Sequence, residues 1–301
     1  MELGEPTAVE LNVEIPVAGT RATTGTNSEN GGLSNVDWGV YDLRYTIEIY
    51  DAEGNTRALR VVHYDTGGYD GYSNSISLTK GRTYQLYIWA DFVKTQGEDL
   101  HYNTSDLRSI SLLDPDNYTV NDESRDAYVY YGTFAVGSGA NDINATLTRP
   151  FAKLRLVTTD ANRLSFDQKI GSIKVSYVSG TTVPSSFAPA TNTLGNEITV
   201  TDVTAPVTVY ANEAAGGAEE GNCTLLTDYI FAPATGQRSV EVALSVSDTT
   251  GAPIYTIPTK LIPYSRNQRT TVEGPALTGS TDLMVTIDGN ITEITGGNMS
   301  F

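Results

Sequence analysis

Imidazole chemistry needs a histidine beside a nucleophile, an acid or a metal. This chain has two histidines, His63 and His101, far apart in sequence, too few to suggest a histidine-based metal site or general base. His63 sits in Val61-Val62-His63-Tyr64, which reads as a strand residue with a structural or surface role. Serine and threonine are abundant, yet no Gly-x-Ser-x-Gly elbow is present, and Gly137-Ser138-Gly139-Ala140 reads as a turn. No glycine-rich phosphate loop with a following Lys-Ser/Thr occurs. Paired carboxylates remain open, because the chain carries 36 Asp and Glu. One acidic cluster, Asp114, Asp116, Asp122, Glu123 and Asp126, departs from calcium-loop order. Tyr118 stands where an oxygen ligand is needed, and Thr119 where glycine is needed. A second, Asp65 and Asp70 among glycines, is read with the first as a solvated loop. The single cysteine, Cys223, has no neighbouring His or basic residue to lower its pKa and reads as a strand-end or loop residue. No catalytic residue, metal ligand or cofactor site is expected.

Aromatic residues are the other chemical lead. Tyr69 and Tyr72 lie in Gly67-Gly68-Tyr69-Asp70-Gly71-Tyr72, and Tyr128, Tyr130 and Tyr131 cluster further on. Exposed rings on a β scaffold bind sugars or protein surfaces. The alternative is that they cover the end of a sandwich or pair across strands.

The elements that would carry these residues are strands. Val9, Leu11, Val13 and Ile15 alternate with polar neighbours, as do Leu43, Tyr45, Ile47 and Ile49. Tyr84, Leu86, Ile88 and Ala90 form one face of a further run, with Tyr87 and Trp89 on the other. Later runs include Val240, Val242, Leu244, Val246 and Leu283, Val285, Ile287. Alternation puts one face on a core and one in water, as in antiparallel sheets. Turn signals separate the runs, among them Lys80-Gly81, Thr250-Gly251-Ala252-Pro253 and Asp288-Gly289-Asn290. Many short strands so spaced predict an all-β fold of sandwiches. The polar stretch 99–126 reads as a long crossover loop or a short helix around Ser105–Leu113. Arg149-Pro150 reads as a connection, since Pro cannot donate in a ladder. The expected domains are 1–148 and 149–301, with a strand of the second starting at Phe151.

The chain of 301 residues is 39% hydrophobic and 18% charged, an ordinary globular composition. Its net charge of −17 would repel phosphate, so no nucleic-acid partner is expected. One cysteine excludes an internal disulfide framework. No run approaches the roughly 18 apolar residues of a membrane span. Met1-Glu2-Leu3-Gly4-Glu5 is acidic and lacks an apolar leader core. A cytosolic protein would account for that, but few lysines and many Thr, Asn, Gly and Tyr better suit an exported protein whose leader and lipid-attachment cysteine lie outside this sequence.

Two segments carry a resemblance. One is Leu147-Thr148-Arg149-Pro150-Phe151-Ala152-Lys153-Leu154-Arg155-Leu156-Val157-Thr158-Thr159-Asp160. The other is Arg266-Asn267-Gln268-Arg269-Thr270-Thr271-Val272-Glu273-Gly274 with Leu277-Thr278. Tyr229-Ile230-Phe231-Ala232-Pro233 and, more loosely, Tyr87-Ile88-Trp89-Ala90-Asp91 add to it. In order and spacing these resemble the Bacteroidales fimbrillin-like proteins, subunits of protease-assembled pili. The resemblance implies two tandem transthyretin-like antiparallel β-sandwiches and a non-enzymatic fimbrial subunit or accessory adhesin at the cell surface. It implies anchorage to the outer membrane through an N-terminal lipid. Partners would be other pilus subunits, with host protein or glycan as further ligands.

In pilus-forming members, a protease cuts after an Arg near the first strand, and a strand of the next subunit fills the groove left behind. The matching element here is the strand bearing Val9, Leu11, Val13 and Ile15, followed by Arg21 in a Gly- and Thr-rich stretch. Arg21 as an ordinary loop residue after a permanent strand is the alternative. The tail Ile291–Phe301 alternates poorly as a donor strand, which favours an accessory, tip or anchor-like role. A surface glycan-binding lipoprotein is the competing reading.

Overall fold

The computed structural model describes residues 4–16, 36–53, 55–160, 170–178, 181–200, 203–206, 223–248, 250–276 and 284–290. In chain order the strands are β1 (Pro6–Glu14), β2 (Tyr41–Asp51), β3 (Arg57–Asp65), β4 (Tyr72–Thr79), β5 (Thr83–Lys94), β6 (Tyr102–Asn103), β7 (Ile110–Leu112), β8 (Ala127–Ala135) and β9 (Asp142–Thr146). They continue as β10 (Phe151–Thr158), β11 (Ile170–Tyr177), β12 (Thr182–Ala188), β13 (Thr193–Thr199), β14 (Val203–Pro206), β15 (Cys223–Phe231), β16 (Arg238–Asp248), β17 (Pro253–Tyr264), β18 (Gln268–Gly274) and β19 (Met284–Asn290). Among the described residues the only helices are two 3-10 turns, Pro115–Asn117 and Glu123–Arg125. The all-β expectation holds.

The strands form five sheets: β4-β1-β9, β3-β2-β5-β8, β13-β12-β7-β6, β15-β10-β18-β19 and β14-β11-β16-β17. One core lies between the first two. Leu43, Tyr45, Ile47 and Ile49 of β2 and Leu86, Ile88 and Ala90 of β5 face Val9, Leu11 and Val13 of β1. A second core gathers Leu154, Leu156, Leu226, Ile230, Val240, Val242, Ile262 and Val272 from the last ten strands.

A third core is largely aromatic and takes residues from both halves of the chain. Tyr87 and Trp89 from the other face of β5 meet Tyr102, Leu107 and Ile110, then Phe151, Phe187, Tyr229 and Phe231. Alternation left this β5 face to solvent. Instead the stretch 99–113 lies across the sheet and buries it. Leu107 donates its N–H to Glu48 Oε2 at 3.0 Å, and Arg44, paired with Asp91, also reaches Asp99 at 2.8 Å. The outward carboxylate of Glu48 is therefore fully buried, held by Arg57, Arg60 and the Tyr50 hydroxyl.

Two local expectations are corrected. No helix forms over Ser105–Leu113; Ile110–Leu112 is β7, paired to Tyr102–Asn103 and to β12. Asp288-Gly289-Asn290 is not a turn but the end of β19, where Asp288 pairs with Arg269 and Asn290 with Gln268.

Candidate functional site

The site that the fold builds is the seat of β1. Its sequence PTAVELNVE alternates, and the buried set is Val9, Leu11 and Val13, with Ile15 just beyond the strand; their exposures are 0%, 0%, 4% and 6%. The strand lies in the middle of its sheet. It runs antiparallel to β4, with Val9 opposite Ile76 and Val13 opposite Tyr72. It runs parallel to β9, with Leu11 opposite Ile143 and Val13 opposite Ala145. Burying four such side chains contributes roughly 6–10 kcal/mol before ordering costs.

Polar contacts on the outer face set the register. Asn12 donates to Asn144 Oδ1 at 3.1 Å and accepts from Ser73 Oγ at 2.7 Å, while Thr146 Oγ1 donates to Glu14 at 3.0 Å. Two glycines allow close approach at the ends of the strand. A Cβ on Gly4 would lie 2.3 Å from Lys80 O, and one on Gly71 2.6 Å from Val13 O. Gly71 also needs its φ of 81°, which L-residues rarely adopt. Without β1, β4 and β9 would each present an unpaired edge above an apolar floor.

The remaining predicted residues fall as follows. Arg21 and the tail Ile291–Phe301 lie outside the described residues. The exposed setting expected of Tyr69 and Tyr72 is corrected. Tyr72 is buried at 7% on β4, its hydroxyl without a hydrogen-bond partner and its ring 5.3 Å from that of His63. Tyr69 is half-buried, edge-on to Trp38 and to Phe92 at 5.3 and 6.2 Å. Both rings cover the end of the first core, because the glycines around them fold the segment back onto β1.

The acidic clusters are dispersed into other roles. Asp126 is bidentate to Arg149 Nε and accepts from the Tyr128 hydroxyl. Glu123 takes Lys153 and the Tyr229 hydroxyl, and Asp65 takes Gly71 N–H and His63.

One arrangement escaped sequence reasoning. His101 Nε2 lies 2.8 Å from Ser124 Oγ, which donates to Asp122 at 2.5 Å. The residue types suggest a nucleophile, a base and an orienting acid. The geometry does not, because Asp122 also meets Nε2, at 3.4 Å, and leaves Nδ1 without that orienter. Ser124 is 1% exposed, closed to a substrate. Burial, with Arg125 nearby, lowers the His101 pKa to about 4 despite the opposing pull of Asp122, so the ring is neutral. A second buried cluster centres on Asp228. It accepts from Tyr118 and Tyr177 hydroxyls at 2.9 and 2.5 Å and pairs with Arg125 at 2.6 Å.

Comparison with solved structures places this architecture. A candidate adhesin from Bacteroides thetaiotaomicron matches with a TM-score of 0.50 at 14% identity, covering 98% of this chain and 100% of that one. A fimbrial assembly protein from Parabacteroides distasonis gives 0.45 at 14%, covering 97% and 99%. The fimbrial anchor protein Mfa2 from Porphyromonas gingivalis gives 0.45 at 13%, covering 96% and 100%. No curated protein matches the chain. The likeness to the first of these structures, at a TM-score of 0.50, is one of fold. The model of a family of unknown function, DUF6562, matches residues 2–295, nearly the whole length, and the chain belongs to that family.

Proposed function

We propose that this protein is a non-enzymatic cell-surface fimbrial subunit or accessory adhesin that assembles by strand exchange. The observation that carries the reading is the placement of β1: a first strand, central in its sheet, with its apolar side chains sealed against the core. A strand so placed is replaceable by another chain's strand of like pattern, since main-chain bonds supply affinity and alternate pockets supply specificity. Until exchange, β1 shields two edges that would otherwise aggregate. Cleavage after Arg21 is the release step in this proposal. The division at 148/149 into two transthyretin-like units belongs to it too, supported by the separate first and second cores. So do the outer-membrane location and pilus-subunit partners.

The test is limited digestion with an Arg-specific protease, then N-terminal sequencing and size-exclusion chromatography. The expected result is cleavage after Arg21, loss of β1 and growth of oligomers. A nicked protein that stays monomeric with β1 bound would overturn strand exchange.

A further inference from the structure

We propose that the cleft around Arg266 is a binding site for a carboxylate-bearing sugar, such as a uronic acid. Binding there does not require β1 to leave. The cleft has a volume of about 180 Å³ and is lined by Tyr130 and Tyr131 of β8, Thr148 of the connection to β10, Pro189 and Asn192 of the β12–β13 turn, and Arg266 of the β17–β18 turn. Four separate parts of the chain thus meet there, and the framework is fixed. Val129 and Thr148 exchange backbone hydrogen bonds at 2.8 and 3.0 Å, and Asn267 N–H donates to Phe151 O at 2.7 Å beside Arg266.

Arg266 differs from the arginines of the enclosed ion pairs. Arg44 pairs with Asp91 and Asp99, Arg125 with Asp228, Arg149 with Asp126, and Arg238 with Glu197. Among the described residues Arg266 meets only neutral oxygens: Nε donates to Arg149 O at 3.3 Å and Nη1 to Asn192 Oδ1. Arg149, whose carbonyl it touches, is already neutralised by Asp126. The guanidinium stacks 4.8 Å over the Phe187 ring, which fixes its plane. Burial lowers its pKa, and no carboxylate opposes that effect.

A half-buried cation with no carboxylate partner among the described residues is costly, because it has lost part of its solvent shell without gaining a local counter-charge. Its remaining N–H donors form the fork that a carboxylate fits two-pronged. Thr148 and Asn192 line the cleft beside Arg266, and proline and tyrosine flank it. That mixture suits a ring bearing hydroxyls as well as an acid, and the volume is small enough for one terminal residue of a glycan.

The test is calorimetric titration of the full chain with glucuronic acid, glucose and an acetylated dipeptide carrying a free carboxylate. Glucuronic acid should bind and glucose should not. Arg266→Gln should weaken binding by about 10-fold to 100-fold, the worth of hydrogen bonds to a charged group. Asn192→Asp is the cleaner variant. It puts a carboxylate where Arg266 already donates, at a φ of 53° that Asp tolerates. It should abolish binding while leaving the thermal midpoint no lower than the parent's. The proposal falls if the parent does not bind glucuronic acid, if glucose or the dipeptide binds as well, or if Asn192→Asp binds like the parent.

Discussion

Leu11→Ala tests whether β1 is a detachable unit or an inseparable part of the fold. Leu11 is fully buried at the centre of β1, opposite Asn74 of β4 and Ile143 of β9. Its side chain stands on the β2 and β5 face of the first core. Truncating a buried Leu to Ala costs about 2–5 kcal/mol, the range set by how far the cavity collapses. About 3 kcal/mol, within that range, is the working figure. At about 1.4 kcal/mol per decade, opening of the β1 seat should become roughly 100-fold more frequent.

The assay is native-state hydrogen exchange read by mass spectrometry. Amides of β1, β4 and β9 that are paired across β1 should exchange roughly 100-fold faster in the variant. Those of β10, β15 and β18 should keep the parent's rate, because they belong to the second core. A uniform acceleration through both groups of strands would mean that β1 opens only when everything does, and would refute the reasoning.

His101 should make stability depend on pH. Its folded-state pKa is depressed to about 4, chiefly by burial, against 6.5 unfolded. Below pH 6.5 the unfolded chain takes up a proton that the native ring refuses. Its contribution is therefore complete above 6.5 and declines as pH falls towards 4, by on the order of 3 kcal/mol. Urea midpoints of His101→Gln measured from pH 7.5 to 4 should decline less steeply than the parent's; identical slopes would contradict this. Asp228→Asn should destabilise by about 3–5 kcal/mol in equilibrium unfolding, because it leaves Arg125 as an uncompensated buried charge. A change below about 1 kcal/mol would show that Tyr118 and the carbonyls of Thr119 and Tyr229 suffice to hold the guanidinium.

The strands themselves were legible. Alternation in Val9–Ile15, Leu43–Ile49 and Tyr84–Ala90 marks the faces that enter the first core, because a period of two survives any arrangement of neighbours. What lies on the other face was not. Trp89 and Glu48 look solvent-facing by period, yet segment 99–113 covers them, and local pattern carries no record of a distant covering segment. For Tyr69 and Tyr72 the pattern left recognition and core-covering both open, and the structure gives the second. Glycines mark a bend without saying whether it folds outward or back onto the core. Asp288-Gly289-Asn290 has turn composition but stays in the ladder as an irregular strand end, with Asn290 opposite Gln268, Asp288 opposite Arg269 and Gly289 the extra residue between them. Arg266 stood within a recognised segment, but its lack of a counter-charge emerges only when Asn192 and Arg149 are placed beside it.

The third core also bears on how the chain is made. Trp89 and Tyr102 are fully enclosed only once Phe151 and Phe231 are beside them. Synthesis reaches Phe231 roughly 140 residues after Trp89, on the order of ten seconds later at about 5–20 residues per second. During that interval the first half of the nascent chain can complete its inner core but must leave an aromatic flank bare. Such a flank is adhesive, so the growing polypeptide is a natural client for holding factors until its second half arrives.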